Sequence, residues 1–469
     1  MGRVWFIPLV IALLIGLLAG YYFLSAPRLL SFAPADKTTS NPAGTQIHLT
    51  FSRKMDPDSV SSRLKIMPAH PGSITWQGNT MTYRPEQHWN PGQTISVSLE
   101  AGARPASHLS APLGEGASWS FSIRQPLVSY LYPTTGEVNI YVIDPATSAK
   151  QQLTAETGGI LDYDIDQDRY ALYYSTLDTA GGSFIYRLDL RNQNPNFQND
   201  EDGLITPGSP SLILECPKSA CLAPRVSPNG TYLAYEKTSS AFPQVWYLVL
   251  EDNRTGDPRL AGEEDHQTLL PQWSPEGLLT FYDKNLSAFI ILDPVTGEKT
   301  SFPNQTGEAG SWHPDGFYYT TPEITFVSSS TRSNSGLETL AVSHLIRFNL
   351  SEKSSLSILP DEYVEDTYPA YSPDGGALAF SRKYLDDSSW TPGRQIWILP
   401  EGETTAVQYT FNPNFHHYDF AWSPDSSRLA YTRIDQTHLT EPPEIWIMDP
   451  ENGISEQLLK GGFSPGWIP

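Results

Sequence analysis

Only two cysteines, Cys216 and Cys221, occur among 469 residues. A zinc site would need more ligands beside Glu215-Cys-Pro-Lys-Ser-Ala-Cys221 than this pair supplies. In an oxidising compartment the pair closes a small loop as a disulfide; two buried free thiols are the alternative. Positive charge is scarce as well: 30 Lys and Arg stand against 52 Asp and Glu, a formal charge of −22. Such a surface repels a polyanion, so nucleic acid is not an expected partner. Solubility explains the acidity at least as well as any function does. Neither a phosphate-binding glycine loop nor a clustered His/Cys metal set is present. Four aspartates, Asp162, Asp164, Asp166 and Asp168, alternate along one apolar segment, but the Gly and distal Glu of a calcium loop are missing. Asn199-Asp-Glu-Asp-Gly203 fails the same test. His416 and His417 are neighbours, which on a strand face opposite sides and cannot chelate together. No catalytic residue, metal ligand or cofactor is therefore expected.

Long apolar runs are missing too, with one exception. Val4 to Leu24 is almost uninterrupted, and at about 1.5 Å per residue it matches a hydrocarbon core of about 30 Å. Arg3 precedes it, and Tyr21 and Tyr22 mark an interfacial end. This reads as a retained signal-anchor with the body exported. A cleaved signal peptide is the alternative, although Pro27 would follow a cut after Ser25-Ala26. No cysteine lies near enough for a lipoprotein anchor.

What is abundant is Pro (40), Gly (34), Tyr (24) and Trp (12), a mixture suited to many short strands and tight turns. The length suits two or three domains. Ser31 to Ile123 shows no amphipathic helix; Gln46-Ile-His-Leu-Thr-Phe51, Thr80-Met-Thr-Tyr83 and Thr94-Ile-Ser-Val-Ser-Leu99 alternate at period two, and Trp119-Ser-Phe-Ser-Ile123 closes the series. The pattern predicts a small β-sandwich. Its "FAPAD", "IHLTFSRKMDPDSV", "TYRPEQHWNPGQTISVSLEAG" and "WSFSI" segments resemble the bacterial Ig-like domain of the S-layer SbsA type, a resemblance that implies a spacer or adhesive module. Met55-Asp-Pro-Asp58 is read as a turn capping a helical turn at Ser59 rather than as a calcium pair.

From about residue 160 onward the chain repeats. Val226-Ser-Pro-Asn-Gly230, Trp273-Ser-Pro-Glu-Gly277, Trp312-His-Pro-Asp-Gly316, Tyr371-Ser-Pro-Asp-Gly375 and Trp422-Ser-Pro-Asp-Ser426 each precede a short apolar strand. A further strand of the Glu444-Ile-Trp-Ile-Met-Asp449 type follows, also at Asn139, Phe184, Val245, Ala288, His344 and Gln395. The spacing of roughly 40–60 residues is that of propeller blades. Pro fixes φ, Asp or Asn bonds its own turn, and Gly accepts a positive φ, so the motif is a hairpin between first and second strands. These copies resemble the TolB-type propeller repeat. Pro465-Gly-Trp-Ile-Pro469 matches Pro271-Gln-Trp-Ser-Pro275, an inner strand that would complete the sheet begun at Leu127-Val-Ser-Tyr-Leu131 and remove the open edges. Seven blades are expected, where the TolB family usually has six.

The fold expectation is thus all-β: a transmembrane anchor and linker over residues 1–30, an Ig-like sandwich over 31–125, and a propeller over 126–469 closed by its C-terminal strand. Long connections, Ser328 to Ser343, Tyr384 to Arg394, Ile434 to Pro443 and the Cys216–Cys221 loop, fall on one face, where binding is usually built. The short-connection face has one exception, Asn192 to Gly203. Gly462-Phe-Ser-Pro-Gly466 fits a nucleophile-elbow pattern, but that motif requires a strand-to-helix turn and later His and acid partners. The expected function is a membrane-anchored, extracytoplasmic binding or scaffold protein whose partner is a protein, peptide or glycan. The alternatives are a channel enzyme, a glycan hydrolase or lyase of the cell envelope, and a sensing ectodomain acting through a membrane partner. Carboxylates and His with shifted pKa values at the channel would favour the enzyme.

Overall fold

A computed structural model describes residues 6–41, 43–86, 89–107, 109–167, 169–178, 181–190, 204–238, 242–251, 254–329, 338–359, 363–386 and 388–469. The chain divides into two compact units, Met1–Pro126 and Leu127–Pro469.

The first unit begins with α1, Phe6–Leu24, an apolar helix of 19 residues. Among the described residues no helix is long and apolar enough to cross a membrane; Val4 and Trp5 of the apolar run lie outside them. The end of α1 is tied to the sandwich, since Ala111 N donates to Tyr22 O at 3.0 Å and the Ser25 and Ser110 hydroxyls lie 2.8 Å apart. Two four-stranded sheets follow. One orders Leu29–Ala33, Ile47–Phe51, Thr80–Pro85 and Gly72–Gln77; the other orders Thr38–Asn41, Ala117–Ile123, Thr94–Leu99 and Leu64–Met67. Period-two alternation decides which side chains are inside: Ile47, Leu49 and Phe51 are buried with Ile95, Val97, Leu99, Trp119 and Phe121 between the sheets. Buried Trp89 satisfies its indole on Thr45 O at 2.8 Å. Asp56 caps the short helix α2, Pro57–Ser61, by accepting from Asp58 N, so the Met55–Asp58 carboxylates shape a turn.

The second unit consists of four-stranded antiparallel groups, one of which carries a fifth short strand, Arg259–Leu260, paired with Pro243–Glu251. Their first strands are β1 (Ile160–Asp166), β2 (Ala220–Val226), β3 (Thr268–Trp273), β4 (Ser311–Trp312), β5 (Val364–Tyr371), β6 (Phe415–Trp422) and β7 (Phe463–Ile468). The next three strands in sequence follow each of β1 to β6. Strand β7 instead pairs with Leu127–Tyr132, which continues through Asn139–Ile143 to Lys150–Gln152. A single parallel pair, Ser343 with Glu365, links the β4 and β5 groups. The first strands meet in succession, β1 with β2, β2 with β3, β4 with β5, β5 with β6, β6 with β7 and β7 with β1. Between β3 and β4 the Gln272 side chain donates to Gly310 O at 3.0 Å and accepts from Tyr319 Oη at 2.8 Å. Adjacent groups pack apolar faces together: Val128, Tyr130 and Trp467 meet Ala430, Ile445 and Ile447 on one side of the β7 group. Leu127, Ile140 and Ile468 meet Ile160, Leu172 and Tyr174 on the other.

One expectation needs correcting. Ser328 to Ser343 reads as a long loop, yet Tyr318–Ser329 and Glu338–Asn349 are paired strands of 12 residues each. The Ser- and Thr-rich composition masks the alternation that carries Leu340 and Val342. Asn192 to Gly203 lies outside the described residues.

Candidate binding site

The recurring Ser-Pro-Asp-Gly segments are turns. Ser372 Oγ donates to Asp374 Oδ1 at 2.6 Å and accepts from Ala377 N at 3.0 Å, and Ser423 repeats the pattern with Asp425 and Arg428 N. Gly375 takes φ 74°, where a Cβ would lie 2.8 Å from His313 Nε2. Where a tryptophan stands ahead of the motif or at the equivalent position, it bolts its strand to the preceding group. Trp273 Nε1 donates to Arg225 O, Trp422 to Ala370 O and Trp467 to Ala421 O, all at 2.8–2.9 Å. Trp312 departs, bonding Thr280 Oγ1 at 3.0 Å. All this is scaffolding and leaves no reactive group free.

A different repeat, one the sequence reading missed, lies in the first strands. Ala223, Leu270, Tyr368, Asp419 and Ser464 all take positive φ, between 48° and 58°. Each sits where its first strand loses register with the second. These are β-bulges, and backbone of this kind is retained where it re-aims side chains and amides. The signal in the sequence is a proline three residues before the motif serine or its equivalent, as at Pro224, Pro271, Pro369 and Pro465.

Ionisable groups gather at these bulges. Asp162 pairs with Arg225 at 2.8 Å, and Asp164 Oδ2 accepts from Val226 N at 2.8 Å. Burial pushes the Asp164 carboxyl up to about 6, against the pull of Arg225. Glu236, which accepts from Leu270 N at 2.7 Å, is raised by burial too. In β6 burial lifts Asp419 to about 6, opposed by hydrogen bonds from Ser464 and Thr432. Glu308 is raised for the same reason. Glu365 receives Arg394 at 2.5 Å and Lys383 at 3.5 Å. Beside them the rings of Tyr368, His416 and Tyr418 form a triangle with centroids 5.5–6.1 Å apart. Burial lowers His416 to about 4, helped by Arg394 and Lys383. His417 faces away, buried, and hydrogen-bonds Arg394 O through Nδ1 at 2.8 Å; burial lowers it to about 3.

The remaining candidates fall as follows. Cys216 and Cys221 are joined in a disulfide with Cα atoms 6.1 Å apart. Asp162, Asp164 and Asp166 are engaged separately, Asp166 accepting from Arg169 N at 2.8 Å, and Asp168 lies outside the described residues. Among the described residues no group of three or more His, Cys, Asp or Glu is placed to hold a metal. Ser464 of the elbow-like pattern is a bulge residue within β7. A cleft of about 340 Å³ opens beside the Ile434 to Pro443 connection, lined by Phe415, Arg433, Asp435, His438, Glu441 and Lys460 among others. Its charges are paired internally, as in Lys460 with Glu441 at 2.6 Å and Arg433 with Glu444 at 2.8 Å.

Residues 25–123 match the bacterial Ig-like domain family. A comparison with curated proteins finds no match. Among solved structures the chain is similar to TolB from Acinetobacter baumannii, with 11% identity and TM-score 0.41 over 87% of this chain and 83% of that one. It is similar to the β-propeller domain of the Trilobed protease from Pyrococcus furiosus, with 11% identity and TM-score 0.46 over 79% and 93%. It is similar also to oligogalacturonate lyase from Vibrio parahaemolyticus, with 12% identity and TM-score 0.39 over 65% and 74%. The chain is all-β, with a segment that matches the bacterial Ig-like family followed by a unit of propeller-like build.

Proposed function

We propose that this is a membrane-anchored, extracytoplasmic binding or scaffold protein that recognises a protein, peptide or glycan through the long-connection face of its second unit. One observation carries the reading. Phe326, Trp390, Phe411 and Leu439 are 53–75% exposed; Trp390, Phe411 and Leu439 lie on connections of that one face and Phe326 near the end of a strand leading to it, in the consecutive β4, β5 and β6 groups. Large apolar side chains grouped on one rim and bordered by charge mark an interaction surface. The opposite face exposes Val295, Phe317 and Ile454 singly on separate turns. Anchoring is supported by the apolar run of the sequence from Val4 to Leu24, and export by the disulfide. A closed ring of seven blades is supported by the pairing of β7 with Leu127–Tyr132 and the succession of first-strand contacts.

The test is affinity capture from the cell envelope with the full chain in detergent, compared with the double variant Trp390→Ala/Leu439→Ser. Retention of a partner that the double variant loses, and that Phe317→Ser keeps, supports the face. Retention unaffected by all three substitutions, or no retained partner, sinks it.

A channel enzyme keeps one observation in its favour, the raised carboxylates Asp164, Asp419 and Glu308 around the axis. Turnover of envelope glycan by the purified chain, abolished by Asp419→Asn, would replace the scaffold reading with this one.

A further inference from the structure

The two sides of the axis solve the same electrostatic problem differently. On one side the chain supplies its own cation: Arg225 bonds Asp162 at 2.8 Å and acts on Asp164 and Glu236. On the other, Asp419 is held by neutral donors, the Thr432 hydroxyl at 3.5 Å and the Ser464 backbone and hydroxyl, and its nearest charged influence is another carboxylate, Asp162. Arg394 and Lys383 pair with Glu365; Arg394 also acts on Tyr368, whereas neither is among the charges acting on Asp419. The Asp419 charge acts on the hydroxyls of Tyr368 and Tyr418, whose rings stand 6.1 Å apart with His416 stacked on Tyr418 at 12°. Tyr368 is 44% exposed despite lying in a first strand, because its positive φ turns it out of the sheet. Residues 127–469 carry 46 Asp and Glu against 20 Lys and Arg, which draws cations toward this unit.

We propose that Asp419, Tyr368 and Tyr418 form a binding site for an organic cation, a guanidinium or ammonium group presented by the ligand of the long-connection face. The carboxylate supplies the counter-charge and the two ring faces supply cation–π contact, the combination used wherever a desolvated ammonium or guanidinium is recognised. The inference rests on the binding reading above, because the first strands enter from that face, and it adds the chemistry of the inserted group. In effect the ligand places at Asp419 what Arg225 places at Asp162.

Calorimetric titration of the full chain in detergent tests it with three probes: N-acetyl-arginine amide, its neutral isostere N-acetyl-citrulline amide, and a heptapeptide with one central arginine. The arginine probe should bind saturably, at least about tenfold tighter than citrulline, a difference of ~1.4 kcal/mol. Asp419→Asn should weaken it about tenfold or more, and Tyr368→Leu several-fold, while Phe317→Ser on the opposite face leaves it unchanged. Tighter binding of the heptapeptide than of the amide identifies a peptide source; equal binding identifies a free cation. Citrulline binding within twofold of arginine, undiminished binding by Asp419→Asn or Tyr368→Leu, or no binding of any probe overturns the site. If captured partners are retained equally by Asp419→Asn but lost on Trp390→Ala/Leu439→Ser, the inference alone fails. Loss of neither discards the face itself.

Discussion

If β7 is an integral member of its sheet, Trp467→Ala should destabilise the second unit as severely as the same change inside an uninterrupted group. Trp467 is 3% exposed, packed among Val128, Tyr130, Ala430, Ile445 and Ile447, and donates to Ala421 O at 2.8 Å. Removing a buried indole of this kind costs about 3–5 kcal/mol through lost transfer energy and the cavity left behind. The orphaned Ala421 carbonyl adds about 1 kcal/mol. Trp467→Phe keeps most of the volume and loses the hydrogen bond, so about 1–2 kcal/mol is expected. The reference is Trp422→Ala, whose indole makes the equivalent bond to Ala370 O at 2.9 Å within a group whose four strands are consecutive. Urea unfolding of the full chain, followed by hydrogen exchange at Leu127–Tyr132 and at Ala430–Tyr431, reads the β7 and β6 groups of the second unit apart. Equal losses for Trp467→Ala and Trp422→Ala agree with a ring held by its C-terminal strand. A loss below about 1 kcal/mol for Trp467→Ala beside a full loss for Trp422→Ala would refute it.

Two further predictions concern buried charge. Burial holds Asp164 and Asp419 protonated up to about pH 6, whereas in the unfolded chain they ionise near 3.9. At pH 7 each ionised group therefore opposes folding, by ~3 kcal/mol, and the opposition fades as pH falls through 6 toward 4. Asp164→Asn/Asp419→Asn should be more stable than the parent at pH 7 and indistinguishable from it near pH 4, read by thermal melts across that range; an advantage that persists at pH 4 would contradict it. The parent's own profile is flatter, because His416 and His417, with lowered pKa values of about 4 and 3, lose stability as pH falls below 6.5. The second concerns Arg382, bonded through Nε to Asp366 Oδ1 at 2.6 Å with both side chains almost wholly buried. Asp366→Ala strips the guanidinium of its counter-charge, and the expected loss is about 3–5 kcal/mol in the same melts; a loss under about 1 kcal/mol would show that other partners suffice.

How much of this was legible in the sequence depends on whether a feature repeats by residue type or by geometry. The turns announced themselves, since Pro, Asp or Asn, and Gly are nearly obligatory at their φ values, and Gly230, Gly277, Gly316 and Gly375 all take positive φ. The sandwich was legible for a similar reason: alternation leaves Ile47, Leu49 and Phe51 on one side, whatever the residues between. The β4 group was partly hidden because Ser and Thr dominate the tips of its long hairpin and imitate a loop. The site was hidden for a deeper reason. Its positions are defined by a backbone feature that Ala223, Leu270, Tyr368, Asp419 and Ser464 satisfy equally, so the residues themselves do not recur, and the proline that follows four of them is absent after Asp419. The Asp162–Asp168 series drew attention because it alternates in sequence, yet its members are engaged separately. Asp419, isolated in Tyr-Asp-Phe-Ala-Trp, is brought beside Tyr368 by a strand some fifty residues earlier. A repeated scaffold offers equivalent positions filled by unlike residues. In such a chain the recurring motif marks the scaffold, and a site is to be sought at the position that never looks the same twice.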